Sequence, residues 1–294
     1  MLHVQRHPLT AIGLVVAMAA ITLLLLQSLW LMATGEAQAS VRYALAGGLV
    51  SFAATAAGAL PALLLRGIGQ RVEDSMLGFA AGMMLAAAAF ALILPGIEAG
   101  RLIAGGAGPG VAVVVAGMAL GVMLMLGLDQ FTPHEHDKTG PCGPGHEHCG
   151  RLWLFALAIA LHNIPEGMAI GVGFAQADMS VGLPLTVAIA LQNIPEGLAV
   201  ALVMTAAGFR PLLAVAVAAL TGLLEPLGAI LGVGIASGLA IAYPLGLGLA
   251  AGAMLFVVSH EVIPETHRNG HQTLATSGLV AGFALMVALD TLLG

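Results

Sequence analysis

Run after run of this chain is apolar over about 20 residues, long enough to cross a bilayer as a helix, and that repetition limits the fold more than any other feature. The runs cover residues 9–33, 43–65, 75–98, 110–131, 152–176, 181–207, 211–237, 239–264 and 274–293. Only 8% of the 294 residues are charged, against about a quarter in an ordinary soluble domain. So few charges cannot coat a water-facing surface of this size, which excludes a soluble globular fold. The runs are unbroken, whereas a membrane β-barrel alternates polar and apolar residues over about ten positions, so a barrel is set aside. What remains is an all-α polytopic membrane protein, one domain over 1–294, with short connections except at 132–151. A net charge of −6 without a basic patch argues against a nucleic-acid partner, and 2 Cys make no disulfide framework.

Lysine and arginine set the orientation. With the N-terminus inside, the cytoplasmic side holds Arg6, Arg66, Arg71, Lys138, Arg151, Arg210 and Arg268, and the outside holds Arg42 and Arg101. The C-terminus then falls outside. Residues 9–33 admit a second reading, because Arg6 and Ala37-Gln38-Ala39 resemble the flanks of a cleaved signal peptide. The run is longer than the usual apolar core of such a peptide, so a retained helix is expected.

A duplicated motif marks the middle of the membrane. Leu161-His162-Asn163-Ile164-Pro165-Glu166-Gly167 returns as Leu191-Gln192-Asn193-Ile194-Pro195-Glu196-Gly197 on the next, antiparallel helix. Glu166 lies about 21 Å along a helix begun at Leu152, at about 1.5 Å per residue, so both copies sit near mid-span. His162 and Glu166 are four apart and share a helix face, as do Gln192 and Glu196. Asn163 and Asn193 line an adjoining part of the same cavity. Pro165 and Pro195 lack an N–H, which frees the carbonyls of Leu161 and Leu191. Glu225, followed by Pro226, is a third mid-span acid. A charge at the helix centre costs about 2.5–3.5 kcal/mol on insertion scales. No Lys or Arg lies inside any run to neutralise these acids. Either they are protonated or a cation takes the place of the missing base. Oxygen donors with one imidazole suit divalent transition metals.

These residues resemble the prokaryotic branch of the ZIP (Zrt/Irt-like) metal transporters. The resemblance covers 43–294 and implies an eight-helix core, with 9–33 as one extra N-terminal transmembrane helix. It also implies a binuclear centre on the paired helices within 152–207. One ion would sit at Met84, His162, Glu166, Gln192 and Glu196. The second would sit at Asn163, Glu166, Asn193, Glu196 and Glu225, so that Glu166 and Glu196 bridge both. Family members often carry an acid or a histidine where Asn193 stands, so the second ion is expected to be held less tightly here. The resemblance further implies a homodimer, a bacterial inner-membrane location and no organic cofactor.

On the cytoplasmic side, 132–151 holds His134, His136, His146, His148, Cys142 and Cys149, a tract suited to metal capture. Nearby stand Asp129, His260, Glu261 and Glu265, followed by His267 and His271; the resemblance supports Asp129, His260 and Glu261 as ligands on the release path. Outside, Glu98 and Arg101 flank a glycine-rich turn and read as a solvated helix end. Together these features predict uptake of a divalent metal, zinc first and then iron, manganese or cadmium, by alternating access. There is no Walker A pattern, so ATP is not the engine. Small residues such as Ala86 to Ala89 and Gly246 to Gly252 suit either a sliding surface or close packing in lipid. No enzyme is expected: His260-Glu261 does not begin an HExxH metalloprotease motif, because Pro264 occupies its last position. The rival is a proton-coupled carrier of a non-metal substrate, for which 2 Trp, 2 Tyr and 9 Phe give little aromatic lining.

Overall fold

The computed structural model describes residues 38–65, 68–131, 162–206 and 208–293, with scattered positions between 12 and 34. The described residues are helical throughout, without strands. Helix α1 spans Gln38–Ala59 and tightens into a 3₁₀ turn at Leu60–Leu63. Helices α2 and α3 span Gln70–Ala104 and Ala107–Phe131. Residues 162–173 form α4, and α5 spans Met179–Ala206. Helices α6, α7 and α8 span Pro211–Ala236, Ala242–His267 and Gln272–Leu293. Among the described residues seven helices are long and apolar enough to cross a membrane, which makes the chain a polytopic all-α membrane protein. Residues 152–161 and much of 9–33 lie outside the described residues. The described positions from 12 to 30 are helical, and Ala17 is buried with Leu124, Met168, Ile235 and Leu249.

Hydropathy alone misplaces the ends of α2. The apolar run suggests 75–98, yet the helix begins at Gln70, with a polar first turn, and ends only where Gly105 takes φ 75°, a left-handed cap. Prolines shape three helices. In α2 a π-helical turn at Ala87–Ile93 precedes Pro95, and in α7 a π-helical turn at Val258–Val262 precedes Pro264. Each proline removes a donor, and widening the preceding turn re-pairs the backbone at membrane depth. In α6, Pro226 cannot donate to the carbonyl of Gly222, and the helix divides into Pro211–Thr221 and Leu224–Ala236. Glu225 therefore stands in the first turn of a half-helix, where the backbone dipole favours negative charge.

Glycines sort the helices into two sets. On α2 and α8, a Cβ added to Gly78 or Gly82 would strike the carbonyl of Ala275 or Leu279, and one added to Gly278 or Gly282 would strike that of Ser75 or Phe79. Gly117 and Gly121 of α3 meet Gly248 and Gly252 of α7 in the same reciprocal way, against Leu245, Leu249, Val114 and Met118. Gly167 and Gly171 of α4 touch the carbonyls of Glu225 and Ala229, and Gly232 of α6 answers against Met168. Gly58 of α1 and Gly197 of α5 touch Ile194 and Thr55. Small residues four apart thus let backbones meet directly. Among the described residues, every glycine pressed on another helix's backbone in this way lies within the set α1, α4, α5, α6 or within the set α2, α3, α7, α8. Across the two sets, Ile170, Val172, Val233 and Ala236 join Leu92, Leu247 and Ala250 in the main apolar cluster. Gly248 and Gly252 are consequently fixed packing inside the α3–α7 pair, whereas Gly246 faces Ala236 and Val172 of the other set.

Candidate metal centre

Helices α4 and α5 bring the two copies of the motif to one depth, and α6 adds the third acid. Asn163, Glu166, Gln192, Asn193 and Glu225 are all buried to within 2% of complete, while His162 and Glu196 are partly buried. Glu166 lies within electrostatic range of both Glu196 and Glu225, and Glu196 within range of His162. Among the described residues no Lys or Arg pairs with any of the three glutamates. The described ion pairs of arginine are at the surface: Arg101 with Glu98 at 3.6 Å and Arg268 with Glu265 at 3.1 Å. All four of those side chains are at least half exposed, so each pair contributes little.

The acids are held singly, by neutral partners or by histidine. Gln192 donates its Nε2 to Glu166 Oε1 at 2.7 Å. Thr55 donates its hydroxyl to Glu225 Oε1 at 2.6 Å. His162 Nε2 and Glu261 Oε2 share a hydrogen at 2.5 Å. The other oxygens are left over. Glu166 Oε2, Glu196 Oε1, Glu225 Oε2, Gln192 Oε1 and Asn193 Oδ1 are buried without a hydrogen-bond partner among the described residues. Buried polar atoms are nearly always paired, because an orphan costs about 1–3 kcal/mol. These five oxygens are the atoms here that a cation could take as donors. Asn163 Nδ2 is likewise buried without a hydrogen-bond partner among the described residues. Among the described residues no three His, Cys, Asp or Glu side chains already converge on one point. The bond from Gln192 leaves Glu166 Oε2 and Gln192 Oε1 open, whereas His162 Nε2 is engaged by Glu261.

The sequence treats His162 and Glu261 as parts of different sites, yet the two are joined directly. The π-helical turn at Val258–Val262 explains why: its wider turn re-aims Glu261 towards α4. Glu265 turns to Arg268 at the surface. His260 Nε2 lies 3.8 Å from Asp129 Oδ2 and its ring stacks on Phe256. His267 bonds back to the carbonyl of Ile263 in its own helix. His271 joins a network that the sequence did not suggest: buried Asp74 accepts from Gln70 at 3.1 Å and Asn269 at 3.1 Å, and bonds His271 at 2.8 Å. Met84 is buried in the main apolar cluster of α2. His134 and His136 lie outside the described residues. Also unanticipated is α1, where Ser51 accepts from Asn193 Nδ2 at 2.9 Å and Thr55 holds Glu225. Neither residue type signals a metal ligand, so only the fold reveals them.

The chain also matches known proteins. A family model described as ZIP Zinc transporter matches residues 132–290. The chain is 61% identical over 290 residues to Zinc transporter ZIPB of Bordetella bronchiseptica, covering 99% of this chain and 94% of that one. It is 41% identical to Zinc transporter GufA of Myxococcus xanthus, covering 85% of this chain and 98% of that one. It is 30% identical to Zinc transporter ZIP11 of Homo sapiens, covering 88% and 99%.

Proposed function

The chain belongs to the ZIP zinc transporter family, a family of transporters and not of enzymes, and from that premise we propose that it carries Zn2+ across the bacterial inner membrane by alternating access, with two ions bound at mid-membrane. The observation that carries the proposal is the set of buried oxygens on Glu166, Glu196 and Glu225 that lack hydrogen-bond and basic partners among the described residues. Two divalent ions would bring four positive charges to three carboxylates, close to balance. The first ion takes Met84, His162, Glu166, Gln192 and Glu196; the second takes Asn163, Glu166, Asn193, Glu196 and Glu225. With a neutral amide at Asn193 the second is held less tightly. Fe2+, Mn2+ and Cd2+ fit the same donors.

The whole chain, 1–294, acts as one transport domain, with its N-terminus cytoplasmic, its C-terminus outside and a second copy as partner in a homodimer. Release runs through Glu261, which already reaches His162, and on to Asp129 and His260, with His134 and His136 beyond. The set α1, α4, α5, α6 carries every central ligand except Met84, and it meets the other set through side chains. Side-chain contacts exchange neighbours with less loss than seams where backbones touch, which supports sliding of one set against the other. Cross-linking tests this. Cysteines at Val172 and Gly246 face each other across the boundary, where a Cβ on Gly246 would lie 3.5 Å from the Cγ methyls of Val172, one of which a cysteine sulfur would replace. In a background with Cys142 and Cys149 replaced by serine, oxidation of that pair is expected to stop uptake and reduction to restore it. Undiminished uptake by the cross-linked protein would exclude relative motion of the sets.

Zinc uptake into proteoliposomes tests the function itself. Protons compete with metal for imidazole and carboxylate, so uptake falls as pH drops through the ordinary histidine range, about pH 6.5. A flat rate from about pH 5 to about pH 8 would contradict competition between protons and metal, and proton flux with no metal uptake would favour the proton-coupled carrier.

A further inference from the structure

Helix α1 supplies no ligand to the proposed centre, yet it bonds two of the proposed ligands, Glu225 and Asn193. Thr55 is wedged between the two helices that bear Glu196 and Glu225. Its backbone carbonyl lies where a Cβ on Gly197 would fall at 2.2 Å, and its Cβ lies 3.1 Å from where a Cβ on Gly222 would fall. Threonine inside a helix ordinarily donates to the carbonyl four residues back. Thr55 keeps a long contact of that kind, 3.3 Å to Ser51 O, but its short bond, 2.6 Å, runs to Glu225 Oε1. A carboxylate is the stronger acceptor and draws the shorter bond. The result is a carboxylate with one oxygen anchored and the other, Oε2, buried and unpaired among the described residues. One turn earlier on the same face Ser51 does the same for Asn193, taking Nδ2 and leaving Oδ1.

We propose that Thr55 is a positioning residue for the second metal ion: its hydroxyl fixes the Glu225 carboxylate so that Oε2 is presented to the ion, with Ser51 steadying Asn193 beside it. The inference rests on the two-ion reading above. Outer-shell partners of this kind change metal affinity by about 10- to 100-fold when removed. Two substitutions separate the hydroxyl from mere packing. Thr55→Val keeps the branched shape and loses the O–H; Thr55→Ser keeps the O–H and loses the methyl.

Zinc is titrated into the purified full-length chain in detergent, with thermal unfolding followed in parallel. The expected result is two binding steps in wild type, a second step about tenfold weaker in Thr55→Val with the first unchanged, and a second step restored in Thr55→Ser. Should Thr55→Val bind like wild type, or Thr55→Ser lose the second step while Thr55→Val keeps it, Thr55 is a packing residue and the inference fails. If wild type itself binds a single ion, the two-ion reading fails, and the role of Thr55 in holding a second ion fails with it. A Thr55→Val protein that does not fold, beside a folded Thr55→Ser with wild-type binding, supports the hydroxyl role.

Discussion

Glu196→Ala is expected to lose about 99% of zinc uptake while still folding, a loss of the size produced when a metal ligand or its support is removed. Folding survives because Glu196 Oε1 has no hydrogen-bond partner among the described residues, so alanine breaks no bond there. The crowding of Glu196 with Glu166 and Glu225 is also relieved. Transport fails because the same carboxylate is proposed to bridge both ions, and its loss leaves two carboxylates facing four positive charges. Glu196→Gln sharpens the test. It keeps the shape and one acceptor oxygen but removes the charge, so it should also be inactive if charge balance is what recruits the ion. The readouts are uptake into proteoliposomes and the rise in unfolding temperature on adding zinc, which reports binding to the folded state. Both variants are expected to melt as wild type does without zinc and to show a smaller rise with it. Normal uptake by either would remove Glu196 from the centre.

The acids could be read from the sequence because their chemistry is local. A glutamate at mid-span is costly wherever the helices go, and the repeat of Asn-x-Pro-Glu-Gly puts two of them on neighbouring antiparallel helices. The long apolar runs likewise gave the all-α membrane class, since span length is set by the bilayer and not by tertiary contacts. What escaped depends on backbone register. The π-helical turns before Pro95 and Pro264 shift which residues share a face, so Glu261 meets His162 while Glu265 turns to Arg268. A pattern search at 3.6 residues per turn assumes away that shift. Thr55 and Ser51 escaped for another reason. A hydroxyl on an apolar helix is equally at home bonding its own backbone, and only the approach of α5 and α6 gives these two their partners. His271 belongs here too, because its bond to Asp74 needs α8 beside the start of α2, a pairing that no local signal announces.

That pairing is where the largest effect on folding is expected. Gly82→Ala adds a single methyl, but at the position where it would form, the carbonyl oxygen of Leu279 lies 1.9 Å away and the nitrogen of Phe283 2.8 Å. Both are backbone atoms, so neither can swing aside as a side-chain tip would. Ordinary C···O contact between helices is about 3.3–3.6 Å, so α2 and α8 would have to separate by roughly 1.5 Å. The separation would open the reciprocal contacts at Gly78, Gly278 and Gly282 on the same seam. Overpacking usually costs about 1–3 kcal/mol and occasionally more, and a rigid backbone on both sides places this site at the upper end. The unfolding temperature should fall by roughly 10 °C, with much of the protein lost to aggregation in detergent. Gly108→Ala is the control. That glycine lies in the first turn of α3 with no atom of another element within 4 Å among the described residues, so its substitution costs at most the reluctance of a side chain before Pro109 to stay helical and should be far milder. The contrast isolates close approach from any general intolerance of added bulk. If both variants melt as wild type does, the backbones of α2 and α8 do not touch, and the division into two internally locked helix sets, on which the sliding mechanism depends, loses its foundation.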